Sequence, residues 1–320
     1  MQYLIQITCF LLASASFTYA ADSQSTLRYL GIGNSFTWNS TEYLDELVES
    51  QGKDFELFVA GIGGASLERH LRSVRIHESD PSDPEGRPYK MKDADGKETA
   101  YSLKELLQQH HWDYISIQQL SALSFKEESY EPFASELITY IREHSPESEI
   151  IVHMTWAYRE DHQWFVNGEL TQDEMYKKLQ DAYLVLSKRY DLRIIPIGTA
   201  FHEARKMPEW TYYFPDPNFD YNDASPPNIP AQPNSLNAGW YWREDKETGE
   251  ESLRLDATHA GDYGKFLAGL VHYEFFFGET IPTDELPTNL GLEKEKLGSL
   301  SQAAHQAIAT YEPYNSERGN

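Results

Sequence analysis

The sequence predicts an α/β protein, a three-layer α/β/α sandwich built on a parallel sheet of about five strands. Short apolar runs of strand length alternate with segments of helical pattern, and turn-forming residues separate the two. No internal repeat or linker divides the chain. At 320 residues, 40% of them hydrophobic, it is long and apolar enough to bury a sizeable core.

In chain order, Leu27 to Gly33, Phe55 to Ala60, Tyr114 to Ile117, Ile150 to Met154 and Arg193 to Ile197 read as buried parallel strands, since continuous apolar runs of this length have both faces covered. Between them Glu42 to Ser50, Leu103 to Gln109, Pro132 to His144 and Asp173 to Tyr190 read as crossover helices. A last helix, Gly261 to Phe277, has apolar residues at three-to-four spacing and is expected to lay one face on the sheet. Two segments break the alternation. Residues 77–100 carry turn signals on either side of Arg87 to Met91 and read as an inserted hairpin. Residues 207–253 read as a long loop whose aromatic residues, Trp210, Tyr212, Tyr213, Phe214, Trp240, Tyr241 and Trp242, argue for packing rather than disorder.

Residues 1–20 (MQYLIQITCFLLASASFTYA) have an apolar stretch and a small-residue end, the pattern of a signal peptide cleaved near Ala20. Residues 21–320 are then expected to form one exported domain, with no stretch that spans a membrane. The one cysteine, Cys9, lies within the signal, which leaves the mature part no disulfide and no thiol chemistry. A formal net charge of −24 disfavours nucleic acid and other polyanions as partners. Asp93-Ala94-Asp95-Gly96 is a fragment of a calcium loop, but Lys104 stands where the bidentate Glu belongs, so no metal is expected there. His110-His111 and Asp161-His162 lack further ligands at metal spacing and read as surface residues.

The first strand runs into Gly31-Ile32-Gly33-Asn34-Ser35-Phe36-Thr37. The crevice of a doubly wound sheet lies outside the carboxyl ends of its strands, so Ser35 is placed to meet substrate. By itself the segment is equally a turn in which Ser35 caps a helix. A nucleophilic serine needs a base, and the base an orienting carboxylate. Of the 11 histidines only His259 has an Asp three residues before it, Asp256, in a segment read as a loop before the last helix. Asn39 reads as the cap of the helix that follows it.

Gly33-Asn34-Ser35 resembles the first block of the SGNH/GDSL hydrolases, and Asp256-x-x-His259 resembles their last. The resemblance covers roughly residues 27 to 280 and implies a flavodoxin-like sheet with Ser35, His259 and Asp256 as a catalytic relay. It also implies an oxyanion hole, with Gly64 of Ala60-Gly61-Ile62-Gly63-Gly64-Ala65-Ser66 as a main-chain donor. In place of the expected Gly-x-Asn-Asp stands Ile117-Gln118-Gln119-Leu120-Ser121, which resembles a bacterial branch with a Gln-Gln-x-Ser block, as do Ser66 to His70 and Thr155 to Tyr158. Carbohydrate acetylesterases also use Gln here, so the resemblance implies Gln118 or Gln119 as oxyanion donor, and the spacing to Ser121 favours Gln118. The other reading has both amides tying down strand-end backbone.

The expected activity is hydrolysis of a small acyl ester, acetyl foremost, on a carbohydrate, with no metal or organic cofactor. Trp156 and Tyr158, at the end of the fourth strand, either stack on the sugar or belong to the core, Trp240 is an expected stacking surface, and Arg69 and His70 face either the site or the surface. The alternatives are a lipid or aryl esterase on the same relay and a catalytically silent carbohydrate-binding protein.

Overall fold

A computed structural model describes residues 26–92 and 95–318. The signal-peptide expectation and Cys9 therefore lie outside the described residues. Among the described residues there are nine strands: β1 Leu27–Gly33, β2 Phe55–Gly61, β3 Tyr89–Lys92, β4 Glu98–Tyr101, β5 Tyr114–Ile117, β6 Glu149–His153, β7 Arg193–Ile195, β8 Asn237–Glu244 and β9 Glu251–Ala260. The five predicted strands pair in parallel in the order β2-β1-β5-β6-β7, and helices flank the sheet. Tyr29, Leu30 and Ile32 of β1, Ile115 and Ile117 of β5 and Ile151 and Val152 of β6 are buried, as strands covered on both faces require. The order reverses at β1 and β5, so the crevice opens beyond Gly33 and Ile117.

The predicted helices stand within two residues of their observed ends, at Leu44–Ser50, Leu103–Gln109, Phe133–His144 and Gln172–Tyr190. Other elements differ. The fifth strand stops at Ile195 because Pro196 has no N–H for the ladder, and the chain turns at once into a helix, Ile197–Arg205. The proposed last helix, Asp262–Phe277, is buried nearly all round rather than on one face. A further helix, Lys294–Asn315, covers its other side with Leu297, Leu300, Ala303, Ala304 and Ala307. Their three-to-four spacing was a readable signal for that helix.

The inserted hairpin is shorter than expected. His77 to Ser79 complete a helix, Leu67–Ser79, capped by the Ser66 hydroxyl, and only β3 and β4 form the antiparallel pair. The aromatic segment is a loop only to Leu236. Beyond it β8 and β9 form a two-stranded antiparallel sheet of their own, which contains Trp240 and also Asp256 and His259, placed on a loop by the sequence. Among the described residues no helix is long and apolar enough to cross a membrane.

Candidate active site

Asn34, not Ser35, caps the helix Ser35–Thr41. Its carboxamide oxygen accepts from the Phe36 N–H at 3.0 Å, while its amide donates to the Ala65 carbonyl at 2.8 Å. The serine hydroxyl is left for another partner, the His259 Nε2 at 2.7 Å. His259 Nδ1 lies 2.8 Å from Asp256 Oδ2. The tautomer that donates from Nδ1 to the carboxylate leaves Nε2 to accept from the serine. The other Asp256 oxygen accepts from the Thr258 N–H at 3.1 Å, the Thr258 hydroxyl at 3.0 Å and the His259 N–H at 3.0 Å. Burial pushes the Asp256 carboxyl up, but the hydrogen bonds from His259 and Thr258 and the His259 charge outweigh it and hold the group well below the usual carboxylate range.

Asp256 and His259 stand on a hairpin outside the main sheet, so their aim depends on anchors. The Arg159 N–H donates to the Ala257 carbonyl at 2.8 Å, the Trp156 indole to the Thr258 carbonyl at 2.9 Å, and Asn39 accepts from the Ala260 N–H at 3.1 Å. Asn39 is therefore inside the first helix and grips the histidine strand, where the sequence reading made it a cap. Arg159 is buried in a bidentate pair with Asp161, at 2.8 and 2.7 Å, and also donates to Gln232 and Ser235. Asp161 accepts in turn from the Tyr212 hydroxyl and the Trp240 indole, both at 3.1 Å. At Gly239, with φ +87°, a Cβ would strike Gln232 and Arg159, so the network closes against bare backbone. Asp161, expected on the surface, is the buried centre of this network, and nothing in its local sequence signals that.

The two glutamines take the role of backbone ties. The Gln118 oxygen accepts from the Asn34 N–H at 3.3 Å and the Thr37 hydroxyl at 3.0 Å, and its amide donates to the Gln119 carbonyl. The Gln119 oxygen accepts from the Leu67 and Leu120 N–H groups, and its amide donates to Ser129. Both are buried and engaged, so the expected oxyanion donor Gln118 instead ties down the turn that carries Ser35. Gly64 is different. It is exposed with φ +65°, a conformation that favours glycine, and among the described residues neither its N–H nor that of Ser35 has an acceptor.

The expected sugar-stacking residues also move. Trp156 is fully buried, with its ring stacked between Phe36 at 4.2 Å and Phe201 at 4.7 Å. Tyr158 is buried against the Ser121 hydroxyl at 2.9 Å. Trp240 points into the Asp161 network. His70 is fully buried beside the Tyr89 hydroxyl at 2.9 Å, and Arg69 donates to the Ser73 hydroxyl at 2.5 Å. Among the described residues no group of three His, Cys, Asp or Glu could hold a metal ion.

Fold and site together define a class, an α/β sandwich of the kind the resemblance to SGNH/GDSL hydrolases implied, with Ser35, His259 and Asp256 hydrogen-bonded in a row at the switch point of its sheet. More narrowly, the chain belongs to the DUF4886 family, a domain of unknown function whose model matches residues 28–211. That match includes Ser35 and stops short of the hairpin bearing Asp256 and His259. The chain is similar to a DUF4886 family protein from Bacteroides uniformis ATCC 8492, with 27% identity over 89% of this chain and 95% of that one, at a TM-score of 0.65. It is also similar to a protein from Slackia heliotrinireducens assigned provisionally to the SGNH hydrolases, with 18% identity, 78% and 99% coverage and a TM-score of 0.47. A member of the lipolytic G-D-S-L family from Veillonella parvula DSM 2008 has 11% identity, 78% and 98% coverage and a TM-score of 0.41. No curated protein matches the chain.

Proposed function

We propose that this protein is a serine ester hydrolase that removes a small acyl group, acetyl foremost, from a carbohydrate. The observation that carries the reading is the unbroken chain from Ser35 Oγ through His259 to Asp256, at 2.7 and 2.8 Å. Ser35 Oγ bonds to the acyl carbon as its proton passes to His259 Nε2, and Asp256 stabilises the imidazolium. The carbonyl oxygen, negative in the tetrahedral intermediate, meets the N–H groups of Ser35 and Gly64. Collapse breaks the bond to the alcohol oxygen, which takes the proton from His259. Water then attacks the acyl-enzyme, giving one proton to His259, and the free acid leaves as Ser35 Oγ recovers that proton.

The pattern of residues 1–20 makes export part of the same proposal, tested by N-terminal sequencing of the protein recovered outside the cytoplasm. For the chemistry, a fluorophosphonate probe should label the native protein at Ser35 and leave Ser35→Ala unlabelled, and acetate should be released from acetylated glycans. Equal labelling of the two proteins would end the reading.

A further inference from the structure

We propose that the groove beside His259 is the subsite for the alcohol half of the ester, and that it takes a neutral sugar ring. The inference rests on the ester-hydrolase reading and assigns residues to the leaving group. The groove, about 490 Å³, is lined by His162, Gln163, Tyr241 and Leu255 and by the Asp256 to His259 segment. Small-molecule sites occupy about 300–1,000 Å³.

Mechanism selects this space. The proton taken from Ser35 must be handed by His259 to the departing oxygen, so the alcohol has to lie against the imidazole. The groove has His259 in its wall. Its other walls fit a pyranose, which has an apolar C–H face and a rim of hydroxyls. Tyr241, 44% exposed, offers a ring to the face, and Gln163 and His162 offer an amide and an imidazole to the rim. Strand geometry explains why Tyr241 and not Trp240 is available: successive residues point to opposite sides, and Trp240 is turned in to Asp161. Among the described residues Leu255 and Ala257 are the aliphatic ones in the lining, too few for a trough that would hold a lipid chain. The Asp256 carboxylate and the net charge of −24 disfavour an anionic sugar.

The test holds the acyl group constant and varies the alcohol. For the full-length protein, kcat/KM is measured by acetate release on a mono-acetylated methyl glucoside and on ethyl acetate. In Tyr241→Ala the ratio of sugar ester to ethyl acetate should fall about five- to tenfold, the size of one lost ring contact, and Gln163→Ala should lower it in the same direction. An unchanged ratio in both variants overturns the subsite while leaving the hydrolase reading intact. If the native protein cleaves neither ester, the hydrolase reading falls instead. The groove is then judged by saturation-transfer NMR of the same acetylated glucoside on Ser35→Ala and on Ser35→Ala/Tyr241→Ala, where equal signals overturn it.

Discussion

At the scale of single residues, Ser35 is free for chemistry because Asn34 does the capping. An N-cap side chain satisfies one of the orphan N–H groups of the first turn, and here Asn34 does so while its amide holds the Ala65 carbonyl. Ser35→Ala should keep the fold and lower turnover of an acetyl ester by on the order of 10³-fold or more. His259→Ala should cost more than Asp256→Asn, since the imidazole moves the proton and the carboxylate orients it; steady-state kinetics of the two variants would show the order. Gln118→Ala behaves differently from a lost oxyanion donor. It strands the Asn34 N–H and the Thr37 hydroxyl in a buried place, so a loss of about 1–3 kcal/mol of stability is expected, read by urea unfolding. A stability unchanged within error would show that the tie contributes nothing.

At the scale of elements, the decisive feature is that Asp256 and His259, the proposed carboxylate and base, ride on β8 and β9, a hairpin that among the described residues makes no ladder with the main sheet. The Arg159–Asp161 pair joins the segment that follows β6, the loop through Tyr212 and Gln232, and the hairpin at Trp240 and Ala257. Breaking a buried pair by removing one partner typically costs about 3–5 kcal/mol because the other charge is left uncompensated. Asp161→Ala should therefore destabilise the protein by that order. At a temperature where it remains folded, kcat should fall by more than KM changes, because the shift lands on the His259 to Ser35 distance rather than on binding. Asp161→Asn should recover part of kcat. A variant with the native kcat would remove the hairpin anchor from the catalytic account.

At the scale of the whole molecule, three histidines are sealed in the interior. His153 has no partner on either ring nitrogen among the described residues, and His70 and His272 are fully buried. Burial drives all three down, His70 and His272 to about 4 and His153 well below the ordinary value. The folded protein then binds fewer protons than the unfolded chain between about pH 6.5 and 4, so stability falls as pH falls through that window. Each of His70 and His272 contributes a loss of about 3 kcal/mol by its lower end. The Asp256 carboxylate acts in the same direction at lower pH: its contribution is present above the ordinary carboxylate pKa and is lost only in stronger acid. Thermal melts from pH 7 to 4 should show a steep drop in Tm that His272→Gln or His70→Gln reduces, and a flat profile over that range would contradict the account.

The sheet, four of its crossover helices and the residue types of the relay were legible in the chain, because strand burial and helix amphipathicity are written as local periodicities and because Ser, Asp and His in that order make one chemical proposal. Tertiary structure decided which polar side chains are free to react. Gln118 and Gln119, alike in sequence to oxyanion donors, are consumed by backbone groups brought to them from residues 34, 37 and 67, and Trp156 and Tyr158 are closed over by the core. Asp161 became the buried centre of a network because Arg159, Tyr212 and Trp240 converge on it from three segments. A hydrogen bond between residues distant in sequence leaves no trace in either one's neighbours, so the supply of donors at the site could be settled only by the folded chain.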